Sequence, residues 1–307
     1  EDSQPTLIGA LWYRENEYLP QDGNWGTYFV GPVETIGKDN ILLRTTATDL
    51  IIEDGKVVGV KAVKFDGTEV TAHANKGVVL ATGSFSSNGE MLAKYQKIGT
   101  GLTANMPSNN PAGNRGDGIV MAQAVGADLA GMGYAQLMPS SHPVDGSLFS
   151  GVWGSAETQV FVNKEGKRYV NEYAERDVLS KAALEQTDGI FYIICDKDIV
   201  GNRDLSAMEA AGNVVLGNSL EELANKLGIP ADTFIAEMDR YNSFVETKVD
   251  LDFGKPLFGQ KIDEAPFCAT PRSPALHHTM GGVKIDTEAH VINTNGEIIS
   301  GLYAAGE

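Results

Sequence analysis

From Asn40 to His73 apolar and polar positions alternate with period two. Ile41 to Arg44, Asp49 to Glu53, Val57 to Lys64 and Glu69 to His73 read as strands, with Asp54-Gly55 and Asp66-Gly67 as tight turns. The pattern predicts an antiparallel meander. It runs into Gly77-Val78-Val79-Leu80-Ala81-Thr82-Gly83, a continuous apolar run ending in small residues, as expected of a strand buried on both faces that delivers its C-terminal end to a ligand. Helical spacing follows over Asn88 to Lys97 and over Asp117 to Ala127, where Met121, Ala124 and Val125 form one stripe. Thr103 to Gly118, rich in Asn, Pro and Gly, reads as a hinge or linker between them. Strands are predicted at Gln159 to Asn163, Arg168 to Asn171 and Ile190 to Cys195, with a helix from Arg176 to Gln186. Ser219 and Glu222 form a capping box that opens another helix, a further helix covers Ala231 to Glu246, and strands return after Pro266. The first forty residues show no period and read as loops that need further chain to pack against.

A length of 307 residues with 42% hydrophobic content supports one large core or two medium ones. The formal charge of −17, without a Lys/Arg run, argues against nucleic acid and anionic membrane surfaces as partners. Nor does any run reach the roughly 18 apolar residues of a membrane span, so the chain reads as soluble, cytoplasmic or exported. Cys195 and Cys268 form no CxxC and read as buried thiols, with a disulfide left open. The five histidines include no HExxH, so no metal site is expected.

Four segments carry more specific information: Gly77 to Gly89, Asn114 to Ala130, Val160 to Ala183, and His277 to Thr294 with the closing Gly301-Leu302-Tyr303-Ala304-Ala305-Gly306-Glu307. In order and spacing they resemble the FAD-dependent flavoprotein family of fumarate reductases and succinate dehydrogenases, most closely its soluble flavocytochrome-c-like and urocanate-reductase-like branch. The resemblance implies a mixed α/β and α+β fold. A partial, Rossmann-like FAD-binding domain would occupy residues 1–105 and 266–307, and an inserted capping domain residues 106–265. The family's N-terminal dinucleotide fingerprint and its C-terminal substrate-arginine segment are not found, which suggests a fragment that by itself binds FAD weakly. An electron-donor domain or protein outside this chain is expected as a partner.

The same resemblance assigns roles to residues. Arg176 stands at the family's proton-donating arginine, although on residue type alone it reads first as a helix-start cation paired with Glu172 or Asp177. His277 would bind the substrate carboxylate, and His278 would lie against the isoalloxazine. Non-covalent FAD would be held at Ala47, Ala81, Thr82, Gly83, Asp117, His278, Gly281, Gly306 and Glu307, with Asp117 also a candidate helix N-cap.

Departures from the family pattern bear on substrate. Met138 aligns with a substrate-binding histidine, Gly151 and Val152 with a Thr-Glu pair, and Ser155 with the arginine of the proton relay. Met138 and Trp153 then suggest an apolar pocket, unless they are core fillers, while His142-Pro143 offers a rival alignment for the histidine. The implied function is reduction of the C=C bond of an α,β-unsaturated carboxylate other than fumarate, with hydride from flavin N5 and a proton from Arg176. A steroid-type flavin-dependent dehydrogenase, which would need a tyrosine base, and an inactive fragment keeping only the capping fold are the alternatives.

Overall fold

The computed structural model of the protein describes residues 29–97 and 105–307. Along the chain lie α1 (Val30–Ile36), β1 (Thr45–Glu53), β2 (Lys56–Lys64), β3 (Glu69–His73), β4 (Val78–Leu80) and α2 (Gly89–Tyr95). Next come α3 (Asp117–Ala124), β5 (Leu129–Ala130), β6 (Ala135–Ser141), β7 (Val160–Asn163), α4 (Arg176–Leu184) and β8 (Phe191–Cys195). The remainder is α5 (Lys197–Val200), α6 (Ser206–Ala210), β9 (Val215–Gly217), α7 (Leu220–Leu227), α8 (Ala231–Thr247), β10 (Phe267–Thr279), β11 (Gly282–Val283), β12 (His290–Ile292) and β13 (Ile298–Ala304). Most of the expected loop region before Asn40, residues 1–28, lies outside the described residues; its visible end is helical at α1.

The contacts divide the chain into two compact units. In the described residues the smaller one comprises the chain up to Gly83, Gly116–Gly131 and Gly281–Glu307. Its β1-β2-β3 sheet is the meander expected from the period-two pattern. The expected Ile41–Arg44 strand is a correction: the chain there turns, with Arg44 at φ +50°, and the first strand starts at Thr45. A second sheet, β12-β13-β4, sets β13 parallel to β4 with Leu302 beside Val78 and Ala304 beside Leu80. β4 is the edge of that sheet and Val79 is 62% exposed, so the strand is not buried on both faces. Val57, Leu80, Met121, Ala122, Val291 and Leu302 make the core of this unit. The buried face of α3 is Gly118, Ile119, Met121 and Ala122 instead of the predicted Met121, Ala124 and Val125, because α3 ends at Ala124 and Val125 caps it outside helical geometry.

The larger unit comprises the described parts of Ser84–Arg115 together with Met132–Met280. Its central sheet has the order β6-β10-β8-β7, and β9 also pairs with β10. Both faces of this sheet are apolar, which explains its dense hydrophobic strands. One face presents Val160, Val162, Ile194, Phe267 and Ala269 to α7 and α8, whose Leu223, Phe234, Met238 and Tyr241 fill the same cluster. The other presents Phe161, Phe191, Ile193, Cys195 and Cys268 to Leu179 and Ala183 of α4. Cys195 and Cys268 are cross-strand neighbours, both buried and both free thiols. The capping box appears as a cap in which the Ser219 hydroxyl accepts from Glu222 N at 3.0 Å, while the Glu222 carboxylate reaches Asn218 N at 3.0 Å.

The predicted Arg168–Asn171 strand is another correction. Apart from a single bridge between Arg168 and Val162, this stretch is irregular, because it carries buried ionic contacts in place of a ladder. Arg168 Nε and Nη2 donate to the two Glu172 oxygens at 2.8 Å each, and Nη2 also meets Asp250 at 2.9 Å. Lys255, equally buried, donates to the Gln159 carbonyl at 2.9 Å and lies 3.7 Å from Glu172. Burial alone would lower the Arg168 pKa, but its two carboxylate partners outweigh it and the guanidinium is held firmly charged. Glu172 Oε1 further accepts from Phe161 N of β7, so this cluster fixes the chain that enters α4 at Arg176.

Candidate functional site

In the smaller unit, the parallel strands β4 and β13 end side by side in Ala81-Thr82-Gly83 and Ala305-Gly306-Glu307, and Ala305 N donates to the Leu80 carbonyl at 3.0 Å. Small residues at the C-terminal ends of parallel strands leave backbone open to a ligand. Gly83 and Gly306 both take positive φ, +75° and +97°, which only glycine adopts without strain. The first turn of α3 packs onto the same strand end: a Cβ added at Gly118 would lie 2.2 Å from Thr82 Oγ1 and 3.1 Å from Thr82 Cβ. The cap position of α3 is Gly116, so Asp117 is the first helical residue and not the N-cap. An exposed carboxylate there still complements the positive end of the helix. Ala47 sits at a bulge in β1 and packs partly against the same core as Leu80 and Ala304. Gly281 is buried between β10 and β11. Ala81, Thr82, Gly83, Asp117, Gly306 and Glu307 are thus carried by elements that share one core. Open backbone, positive-φ glycines and a helix start suit a dinucleotide cofactor such as FAD.

In the larger unit His277 is the extra residue of a β-bulge, since Leu276 pairs with Leu137 and His278 with Gln136. Bulges re-aim side chains, and this one carries its own support. His277 Nδ1 lies 2.8 Å from Asn109 Oδ1; a carboxamide oxygen only accepts, so Nδ1 bears a hydrogen. Asn110 Nδ2 clamps the carbonyls of Leu276 and His277 at 3.2 and 2.9 Å. Pro107 O and Asn109 N hydrogen-bond the backbone of Leu276, so the predicted linker is, in its described part, an added edge of β10. Asn109 and Asn110 were missed by sequence reasoning, because an Asn-Pro-Gly-rich stretch carries no periodic signal. Met138 of β6 pairs with Ala275, two residues before His277.

Arg176 opens α4, half-buried. Glu172, its candidate partner, is engaged by Arg168. Trp153 packs against the α4-side core, with the Arg272 guanidinium 5.1 Å from its ring centroid. His142, the rival for the aligned histidine, turns its Nδ1 to Asp145 at 2.8 Å just past the end of β6. Ser155 is exposed, with its hydroxyl on Glu157 at 3.2 Å. A cavity of about 300 Å³ is lined by Ser86, Ser87, Met106, Asn110, Arg115 and Leu276 among others, and includes none of the nominated side chains. Among the described residues no group of three His, Cys, Asp or Glu is placed to hold a metal ion, and no helix is long and apolar enough to cross a membrane.

Comparison with known proteins gives a consistent family. A profile described as FAD binding domain matches residues 31–307. The chain is 43% identical to an NADH:acrylate oxidoreductase of Vibrio harveyi over 98% of its length and 30% of the relative's. It is 34% identical to a urocanate reductase of Eggerthella lenta over 94% of its length and 50% of the relative's. Among solved structures, the open conformation of a flavocytochrome c3 fumarate reductase aligns with a TM-score of 0.79 at 28% identity, covering 94% of this chain and 51% of that one. The chain therefore spans between 30% and 51% of the length of these three.

Proposed function

Since the chain belongs to the FAD binding domain family, we propose that the complete protein is a flavin-dependent reductase of the C=C bond of an α,β-unsaturated monocarboxylate. The observation that carries this reading is the 43% identity to a relative that acts on acrylate, an acid with one carboxylate and no second charged end. Ala47, Ala81, Thr82, Gly83, Asp117, His278, Gly281, Gly306 and Glu307 would hold FAD non-covalently, and bound FAD would supply the hydride. An electron donor outside this chain would restore the reduced flavin.

The remaining roles belong to side chains of the chain itself. As an imidazolium, His277 would donate Nε2–H to the substrate carboxylate, with its ring fixed by the Nδ1–H bond to Asn109. Arg176 would deliver the proton to the second carbon, and its position follows from the Glu172–Arg168–Asp250 cluster just before α4. Within residues 106–265, the parts that belong to the larger unit, 106–115 and 132–265, would serve as the capping domain. Met138 and Trp153 would face the substrate tail and favour an apolar or small one, which a buried second carboxylate is not: leaving a buried polar group without a partner costs about 1–3 kcal/mol, and more for a charged one.

The proton-donor role has its own test. In the complete enzyme Arg176→Lys is expected to leave FAD bound and to lower kcat by ~10²-fold or more, because a flexible ammonium does not reproduce the planar guanidinium. A variant keeping more than about a tenth of wild-type kcat removes Arg176 from that role.

A further inference from the structure

Among the described residues Arg272 of β10 is the bulkiest side chain with no solvent exposure. Its Nη1 donates to Ser150 Oγ at 3.3 Å and to the Pro271 carbonyl at 3.4 Å, but Nε and Nη2 have no hydrogen-bond partner among the described residues. Buried polar groups are rarely left so, and each such case calls for a cause. The chain shows what this edge of a guanidinium is suited to. Arg168 applies Nε and Nη2 side-on to the carboxylate of Glu172, and Arg240 applies the same pair to Asp252. At Arg272 that edge meets no carboxylate among the described residues. Asp145 acts only at longer range, and burial pushes the Arg272 pKa down to about 10, which leaves it charged at neutral pH.

The surroundings are built around the guanidinium. Trp153 lies against it at 5.1 Å. Nη2 fills the space above Gly151, where an added Cβ would stand 2.7 Å from it and 2.4 Å from Thr270 Cγ2. Thr270 Oγ1 pins the neighbouring residue by accepting from Val152 N at 3.1 Å and donating to Val152 O at 2.7 Å. The segment leading to Ser150 is surface, with Val144 and Phe149 each 83% exposed.

We propose that Arg272 is a carboxylate-binding point, whose guanidinium, held against the Trp153 ring, takes one carboxylate of a small organic acid side-on along its Nε–H and Nη2–H edge. Parallel N–H groups match the two carboxylate oxygens. A single cation with Asp145 nearby suits a monoanion and disfavours a phosphate dianion. The carboxylate belongs either to the substrate, in which case the assignment rests on the function proposed above with Arg272 taking that carboxylate in place of His277, or to a second acid bound beside it.

Calorimetric titration of the complete, oxidised enzyme with propionate, which cannot be reduced, reads the binding without turnover, so absence of enoate reduction leaves this test intact. Arg272→Met is expected to weaken propionate binding at least tenfold, with the melting temperature unchanged or raised, since an unpaired buried charge is removed. Arg272→Lys, closer in size and still charged, is expected to weaken it at least threefold, because one ammonium cannot offer parallel donors. Propionate affinity within twofold of wild type in either folded variant overturns the proposal, as does propionamide binding wild type as tightly as propionate. A KM for acrylate that rises at least tenfold in Arg272→Met assigns the carboxylate to the substrate, and an unchanged KM alongside lost propionate binding assigns it to a second acid.

Discussion

Arg168 holds two carboxylates, Glu172 and Asp250, with all three side chains shielded from solvent. Such a cluster is weak as a source of net stability but costly to break, because removing one member leaves the others charged and unpaired. Arg168→Met is therefore expected to destabilise the fold by about 3–5 kcal/mol in denaturant unfolding. The pH dependence has a definite sign. Burial alone would raise the Asp250 pKa, but Arg168 outweighs it and the folded value is depressed. Its stabilisation is complete above the ordinary aspartate value of about 4 and is lost as pH falls through the lower folded value. Urea midpoints measured between about pH 6 and pH 3 should fall with acid in wild type and fall less steeply in Asp250→Asn. At the same scale Arg272 was not singled out in the sequence, where the chain after Pro266 reads only as a return to strands. The available signal was a lone arginine there, whose meaning depends on which partners the fold supplies.

At the scale of elements, the approach of α3 to β4 is the most constrained contact of the smaller unit. Gly118→Ala places a methyl into Thr82, and overpacking of this kind costs typically about 1–3 kcal/mol. The expected outcome is a lower melting temperature together with flavin released more readily in gel filtration, both partly restored by the double variant with Thr82→Ala. Retention of wild-type flavin binding in Gly118→Ala would remove this turn from the cofactor site. The meander was legible because its Asp-Gly turns and period-two faces are local signals, and the cap at Ser219 was legible for the same reason. Arg168 to Asn171 was misread as a strand because its fate depends on Asp250, more than eighty residues away in sequence. The clamp of Asn109 and Asn110 on β10 was hidden for a similar reason, since only tertiary structure brings it to His277. Motif order carries more than periodicity about the candidate residues, while the partners that orient them come from the fold.

For the molecule as a whole, the substrate-side candidates Arg176, His277, Met138 and Trp153 fall in one compact unit, and the cofactor-side candidates other than His278 fall in the other. A net charge of −17 repels a dianionic acid more strongly than a monoanion, in the same direction as Met138 beside the His277 strand. The most direct measurement is kcat/KM of the complete, reduced enzyme for fumarate and for a cinnamate-like acid under identical conditions. The expected result is a preference of about tenfold to a hundredfold for the monocarboxylate, corresponding to ~1.4–2.7 kcal/mol in transition-state stabilisation, with Met138→His narrowing the gap. Fumarate turning over as well as or better than the cinnamate-like acid would contradict the account.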